Sequence, residues 1–157
     1  MSEQLVTNQA GLQWVTFRLG DEKYGISVMQ VQEVLRYQDI SPVPGAPSYV
    51  LGIVNLRGNV VTVIDTRNRF GLQSKEPDDQ SRVVIIETDA HVIGILVDSV
   101  AEVVELKGAD IETAPNVGNE ETSKYIQGVT SRDNELLILV DLNKFLSDED
   151  KADMDFF

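Results

Sequence analysis

The sequence contains no cysteine and a single histidine, His91. Without cysteine there are no disulfide bonds, no thiolate nucleophiles and no cysteine-based metal sites. A catalytic triad would depend on His91 alone, and the chain has neither a G-x-S-x-G motif nor a glycine-rich phosphate loop. The sequence therefore gives no positive reason to expect an enzyme, a bound metal or a cofactor.

Positive charge and long apolar runs are also scarce. The chain has 13 lysines and arginines against 26 aspartates and glutamates, which gives a formal net charge of −13. Such a surface repels the phosphates of nucleic acids and anionic lipids, so we expect neither as a partner. The longest apolar runs, such as VIGILV and LLILV, are far shorter than the roughly 20 residues of a membrane-spanning helix. The polar N-terminus lacks a signal-peptide pattern, and together these features predict a cytoplasmic protein without direct membrane insertion.

A ten-residue pattern, G-I-x-V-x-x-V-x-E-V, occurs twice, starting at Gly25 and again at Gly94. A second pair of segments, residues 49–65 and 125–141, shares tyrosine, glycine and aspartate at a constant separation of 76 residues. Chance similarity between valine-rich strands would not maintain this spacing. We interpret the two halves as an internal duplication.

Short strands joined by tight turns are predicted in both halves. WVTFRL alternates apolar and polar residues, and LGDEKYG reads as the turn of a hairpin. VQEVLR also fits one face of a helix, but its counterpart VAEVVEL is richer in β-branched residues and favours a strand in both copies. TRNRF and LNKFL are typical of short helical turns. Each half then holds about five strands, enough to close into a small barrel.

Two small barrels bury more apolar surface together than apart, so we expect one unit with a groove at the junction. The expected boundaries are a flexible N-terminus over residues 1–12, a first subdomain over about 13–72, a second over about 82–147, and an acidic tail over 148–157. The polar segment LQSKEPDDQSR between the two subdomains reads as a linker.

The two halves differ at one turn. Arg57 and Gly58 of the first half align with Asp133 and Asn134 of the second, so one turn carries a cation and its twin an anion. Arg57 either balances nearby carboxylates or serves as a docking point, because the guanidinium group suits planar contacts at interfaces. The sequence leaves both interpretations open.

Acidic residues occupy two further pairs of matching positions. Glu33 and Glu102 are each flanked by valines, and they mark either the solvent face of a strand or, beside an exposed Val34, an interaction edge. Asp65 and Asp141 each end an apolar strand just before a helical turn. This position favours an N-cap over a catalytic pair of aspartates.

These ordered motifs resemble the CheW-type chemotaxis coupling proteins. The resemblance rests on YGI with V-x-E-V, then G-x-x-N-L-R-G-x-V-x-x-V-x-D, then G-I-x-V-D-x-V, then LLILVD, across residues 13–147. It implies an all-β fold with short helices, in which two five-stranded SH3-like β-barrel subdomains pack around a shared hydrophobic core. It also implies a non-enzymatic adaptor that couples the cytoplasmic tips of methyl-accepting chemoreceptors to the histidine kinase CheA and helps to assemble the receptor array.

The same resemblance implies roles for individual residues. Those expected to contact the regulatory domain of the kinase are Val31, Glu33 and Val34. Those expected at the receptor-binding groove are Gly52, Asn55 and Arg57. Val117 would form a second kinase contact, weaker than one made by the large aromatic that the family can place there.

The implied protein is a monomer in isolation and becomes multimeric within membrane-associated receptor arrays. Two alternatives remain at this stage. One is a module that binds a small ligand or peptide in the groove between the barrels. The other is a coupler for a different kinase pathway, because the sequence of one coupler does not name its pathway.

Overall fold

Ten short strands account for most of the described chain. The computed structural model describes residues 12–88, 91–112 and 125–144. The strands in chain order are β1 (Leu12–Leu19), β2 (Glu22–Ser27), β3 (Val31–Arg36), β4 (Val50–Leu56), β5 (Asn59–Asp65), β6 (Arg82–Glu87), β7 (Val92–Val97), β8 (Ser99–Leu106), β9 (Ile126–Arg132) and β10 (Glu135–Val140). Within these ranges the helices are α1 (Thr66–Arg69) and the 3₁₀ helices Val28–Gln30, Gly108–Asp110 and Leu142–Lys144. The expected N-terminal segment up to residue 11, the acidic tail and Val117 lie outside the described residues.

The strands form two five-stranded sheets with the same internal order. The first sheet has the order β8-β1-β2-β10-β9, and the second has the order β3-β6-β7-β5-β4. When each strand is matched to its counterpart in the other half, the two orders are identical. The structure therefore supports the duplication, and it confirms an all-β fold with two five-stranded subdomains.

The expected division of the chain into a first subdomain over 13–72 and a second over 82–147 is wrong, because the halves exchange strands. β1 and β2 join β8, β9 and β10 in the first sheet, while β6 and β7 complete the second sheet. The exchange depends on parallel pairing of β2 with β10 and of β7 with β5. Turn signals identify antiparallel neighbours, but they carry no information about parallel partners that lie far apart in the chain.

Successive side chains of a strand point to opposite faces of its sheet. The apolar side chains therefore pack either in a core shared by both sheets or in a cluster inside one sheet. In β1, Val15 and Phe17 pack in a core shared by both sheets, whereas Trp14 packs inside the first sheet with Leu137 and Leu139. The matching interior cluster of the second sheet consists of Val54, Val61, Val63, Val83 and Ile85. Full burial of a side chain of this size contributes roughly 1.5–3 kcal/mol. The expected hydrophobic core between the subdomains is confirmed.

Two aspartates cap the helical turns that follow β5 and β10. The backbone N–H of Asn68 donates to Asp65 Oδ1 at 3.3 Å, and that of Asn143 donates to Asp141 Oδ1 at 3.0 Å. Asp65 Oδ2 also accepts a hydrogen bond of 2.7 Å from the hydroxyl of Ser74. The predicted N-cap role of both aspartates is confirmed.

The repeated glycines Gly25 and Gly94 let β2 and β7 pass close to the interior clusters. A Cβ at Gly25 would lie 2.9 Å from Leu139 Cδ2, and a Cβ at Gly94 would lie 2.9 Å from Val83 Cγ1. Both distances are too short for a methyl group unless the neighbour moves. Close packing therefore requires glycine at the first position of the repeated pattern in both sheets.

We expect Gly94→Ala to lower the free energy of unfolding by about 1–3 kcal/mol, because the added methyl group overpacks the interior against the stiff Val83 side chain. Gly108→Ala is the matched control, since a Cβ at Gly108 meets no atom within 4 Å. Urea denaturation, followed by the fluorescence of the single tryptophan, measures both variants. Equal stabilities of the two variants would contradict the packing role.

Candidate docking surface

The strand β3 lies at the edge of the second sheet and pairs within it only with β6. A β-bulge between Val31 and Glu33 interrupts the pairing, as bulges often do at sheet edges. Val31 is partly buried against the shared core, whereas Val34 is exposed. The predicted strand therefore presents the exposed Val34 on one face and the partly exposed carboxylate of Glu33 on the other.

The β4–β5 turn holds Arg57 in a left-handed conformation. The φ angle is 51° at Arg57 and 86° at Gly58, the pattern of a type I′ hairpin turn. The side-chain oxygen of Asn55 accepts a hydrogen bond of 3.0 Å from the Gly58 N–H. The twin turn at Asp133 and Asn134 has the same form, with φ angles of 52° and 64°. The arginine thus occupies a turn position whose backbone favours glycine or asparagine.

Arg57 and Glu33 form an ion pair that joins the β4–β5 turn to β3. Arg57 Nη1 donates to Glu33 Oε1 at 3.4 Å, and Arg57 Nη2 donates to Glu33 Oε2. The Arg57 side chain is 69% exposed, so the pair lies where ion pairs are weak and screened by salt. The hypothesis that Arg57 balances a carboxylate is confirmed, and its guanidinium group stays accessible to a partner.

The ion pair brings together residues that the resemblance assigned to different partners. Glu33 is a predicted kinase contact, and Arg57 is a predicted receptor contact. Asn55 holds the turn that carries Arg57, and Val31 and Val34 flank Glu33 on the strand. We call these five residues the β3 edge surface.

Gly52 does not belong to the β3 edge surface, because it is buried in β4. A Cβ at this position would lie 2.2 Å from the carbonyl oxygen of Ser41. Ser41 and Ile53 exchange two backbone hydrogen bonds of 2.9 Å each. Gly52 therefore fixes how closely the preceding loop approaches β4.

The hydrogen bond from Arg57 is the main reason that the pKa of Glu33 lies below its ordinary value of 4.5. A carboxyl group whose pKa is lower in the folded chain stabilises the fold above its unfolded pKa, and this contribution is lost as the pH falls through the folded pKa. We expect NMR titration of the Glu33 carboxyl carbon to show this lowered pKa, and Arg57→Ala to raise it toward 4.5. An unchanged titration in that variant would show that the ion pair does not form in solution.

Sequence reasoning does not identify Met29, which is the most exposed large apolar residue described. Met29 lies on the 3₁₀ helix between β2 and β3 and is 85% exposed. Tyr37, just after β3, and Val34 are exposed as well. Three exposed apolar side chains on or beside one edge strand are typical of an interaction site. The signal in the sequence is the alignment of Met29 with Asp98, an apolar residue in one copy and a charged one in the other.

Exposed apolar and charged side chains along β3 and the β4–β5 turn are the most distinctive surface feature of the described chain. In that part of the chain, no group of three histidines, aspartates or glutamates could hold a metal ion. No helix there is long and apolar enough to cross a membrane. The fold and the β3 edge surface define a small, duplicated, all-β interaction module.

Comparison with known proteins identifies the family. Residues 13–150 match the CheW-like domain. The chain is 35% identical to the chemotaxis protein CheW of Treponema pallidum, over 93% of this chain and 88% of that protein. It is 34% identical to CheW of Klebsiella aerogenes, over 97% and 92%. The crystal structure of the scaffolding protein TtCheW from Thermoanaerobacter tengcongensis has a TM-score of 0.80 and 31% identity, covering 87% of this chain and 93% of that one. The chain belongs to the CheW-like family and is a chemotaxis coupling adaptor.

Proposed function

We propose that this chain couples the cytoplasmic tips of methyl-accepting chemoreceptors to the regulatory domain of a CheA-type histidine kinase, and that it acts by binding, without catalysis. It works in the cytoplasm, is a monomer in isolation and joins membrane-associated receptor arrays. The observation that supports this most directly is the ion pair between Glu33 and Arg57. It connects the residues expected for the two partners, and it joins β3 to the β4–β5 turn, which stand at opposite ends of the strand order of the second sheet.

The kinase side of the surface is β3. Val34 is exposed there, and Glu33 beside it keeps a partly accessible carboxylate. A β-rich regulatory domain packed on this edge would bury Val34 and surround Glu33 with hydrogen-bond donors. An apolar contact next to a well-placed charge is a common arrangement at interface hot spots.

We assign the receptor side to the β4–β5 turn and to the boundary between the two sheets. A receptor tip built from amphipathic helices would dock its apolar face in a groove. Arg57, at the tip of the turn, offers several hydrogen-bond donors to carboxylates or carbonyl oxygens of that tip. We assign Gly52 an indirect role through the path of the loop that it contacts, and Val117 the second, weaker kinase contact.

The shared ion pair makes the two sides interdependent. A partner that draws Glu33 into its own hydrogen bonds releases Arg57, and the reverse also holds because coupling between sites is reciprocal. Each contact can be modest, since many copies held in a lattice bind through a high effective concentration. Receptor state can therefore bias the kinase without a large change in this chain.

The test is reconstitution of the purified chain with a CheA kinase and receptor signalling fragments, with the rate of autophosphorylation as the readout. We expect the unmodified chain to make autophosphorylation depend on the receptor, and folded Arg57→Ala to lose most of this dependence. Arg132→Ala is the matched control, because it removes an exposed arginine beside the twin turn. If the unmodified chain binds neither partner and leaves the rate unchanged, the proposal is rejected.

A small-ligand module is the second candidate, supported by a cavity of about 460 Å³. The cavity is lined by Tyr37, Ile40, Leu51 and Leu96, with Lys75 among its polar groups. These residues belong to the second sheet and its loops, so the cavity is not the groove between the barrels that the sequence predicts. Its volume lies within the range of roughly 300–1,000 Å³ that is usual for ligand pockets. Stabilisation of the isolated chain by a small molecule in a thermal-shift screen, together with failure to bind the kinase, would favour this candidate.

A further inference from the structure

Asp98 lies between β7 and β8, at the point where the chain passes from the second sheet to the first. Arg67 donates two hydrogen bonds to its carboxylate, from Nε to Oδ1 at 2.8 Å and from Nη2 to Oδ2 at 2.5 Å. The backbone N–H of Gly20 donates a third, to Oδ2 at 2.7 Å. The N–H of Asp98 itself donates to the carbonyl oxygen of Arg18 at 3.0 Å. A planar fork of this kind fixes both partners in one geometry.

These contacts connect the two sheets. Arg67 belongs to α1, which directly follows β5 of the second sheet, and its Nη1 also donates to the carbonyl oxygen of Gln73 at 3.0 Å. Gly20 and Arg18 belong to the β1–β2 hairpin of the first sheet. The side chains of Arg67 and Asp98 are only 18% and 17% exposed. We call Arg67, Asp98 and Gly20 the junction clamp.

The other described ion pairs do not connect the sheets. Arg18 with Glu135 and Lys23 with Glu102 each join strands of the first sheet. Glu33 with Arg57 joins parts of the second sheet, and Lys75 with Asp78 stays within one loop. Of these ion pairs, that of the junction clamp is the one that connects the sheets. Arg69 of α1 adds a hydrogen bond of 3.0 Å to the hydroxyl of Tyr125, which directly precedes β9 of the first sheet.

The duplicated crossing does not contain such a clamp. Met29 stands at the position of Asp98 between β2 and β3, and Asn143 stands at the position of Arg67. Because Met29 is exposed and apolar, a crossing between the sheets does not by itself require an ion pair. Burial acts to raise the pKa of Asp98, but the hydrogen bonds from Arg67 and Gly20 outweigh it and keep the pKa below its ordinary value. The Asp98 carboxylate is thus ionised, and the hydrogen bonds from Arg67 and Gly20 fix its position.

We propose that Arg67 and Asp98 are positioning residues, which hold the first sheet in a fixed orientation against the second, so that a receptor tip docked against both sheets biases the kinase bound at β3. This inference rests on the proposed coupling function. Coupling requires that each partner favours one orientation of a shared element. If the sheets shift more easily against each other across the shared core, the bias is weakened, although each partner still binds.

The first test measures the junction directly. Since the chain has no cysteine, spin labels can be placed at Val60→Cys on the second sheet and Val103→Cys on the first, both at exposed positions. We expect Arg67→Met to broaden the distribution of distances between the labels, Arg67→Lys to restore much of its width, and Arg18→Met to leave it narrow. Asp98→Asn provides a second disruption if Arg67→Met does not fold. A distribution that stays narrow in the folded disrupted variants would overturn the proposal.

The second test measures coupling in the assembly of chain, CheA kinase and receptor fragments. We expect Arg67→Met to bind each partner separately with unchanged affinity, while the receptor's effect on autophosphorylation falls by about tenfold. Equal coupling by Arg67→Met and the unmodified chain would overturn the positioning role and leave the proposed function intact. If the unmodified chain does not couple, the proposed function fails, and with it the role of the clamp in coupling.

Discussion

Glu33→Arg is expected to weaken binding of the kinase regulatory domain by about thirtyfold, because a hot-spot residue contributes roughly 2 kcal/mol or more. The substitution reverses the charge beside Val34 and also sets a second guanidinium group against Arg57, which loses its partner. Receptor binding is expected to fall less, because the proposed receptor surface extends beyond this pair. Isothermal titration calorimetry with each partner separately measures both effects.

Glu102→Arg is the matched control for this prediction. It makes the same change in the second copy of the repeated pattern, where Glu102 pairs with Lys23 at 2.7 Å, and we expect near-normal kinase binding. The double variant Glu33→Arg with Arg57→Glu restores an ion pair of opposite polarity, and we expect it to remain defective. If the double variant binds the kinase normally, the ion pair only stabilises the fold and neither residue contacts the kinase through its charge. Equal loss of kinase and receptor binding in folded Glu33→Arg would contradict separate roles for the two sides.

Phe70→Ala is expected to lower the free energy of unfolding by about 3–5 kcal/mol, the usual cost of removing a buried phenylalanine ring. Phe70 follows α1 of the second sheet and is completely buried. Its ring centroid lies 5.1 Å from that of Tyr24 and 5.6 Å from that of Tyr125, both next to or within strands of the first sheet. Removal of the ring therefore leaves a cavity in the core that holds the sheets together, and aromatic contacts of this kind add to the burial.

This loss is large compared with the total stability of a small protein, about 5–15 kcal/mol. Urea denaturation at neutral pH measures the effect, and Phe70→Leu is the conservative control, expected to lose much less because it keeps most of the apolar volume. Tyr37→Ala, at an exposed position, should change stability little. A loss below about 1 kcal/mol in Phe70→Ala would show that the shared core reorganises around the gap.

The local features of the fold follow from the sequence because each depends on neighbouring residues. The edge strand β3, the two aspartate caps and the twin turns at Arg57 and Asp133 are all determined by short-range patterns. The assignment of strands to sheets is not, because β2 pairs with β10 and β7 pairs with β5 in parallel across long stretches of chain. Such pairs leave no turn between them that a sequence pattern could reveal.

The ion pair at the candidate site is predictable only in part. The sequence shows that Glu33 is repeated in the second half and that Arg57 is not. It does not show that the two side chains meet, because the matching Glu102 pairs instead with Lys23. The role of Gly52 is equally hidden, since its contact with Ser41 depends on the path of a proline-rich loop. Contacts between the ends of different strands depend on how the whole sheet curves, which short sequence patterns do not describe.

The exchange of strands between the halves has a consequence for the origin of the chain. A single repeat holds strands for parts of two sheets and completes neither. An ancestor made of one repeat could therefore bury its apolar faces only by pairing with a second copy of itself. Fusion of two such copies would remove the symmetry of that dimer, in which every substitution alters both faces at once. In the fused chain, one copy of the glutamate strand faces Arg57 and the other Lys23, so the two faces are free to diverge toward unlike partners.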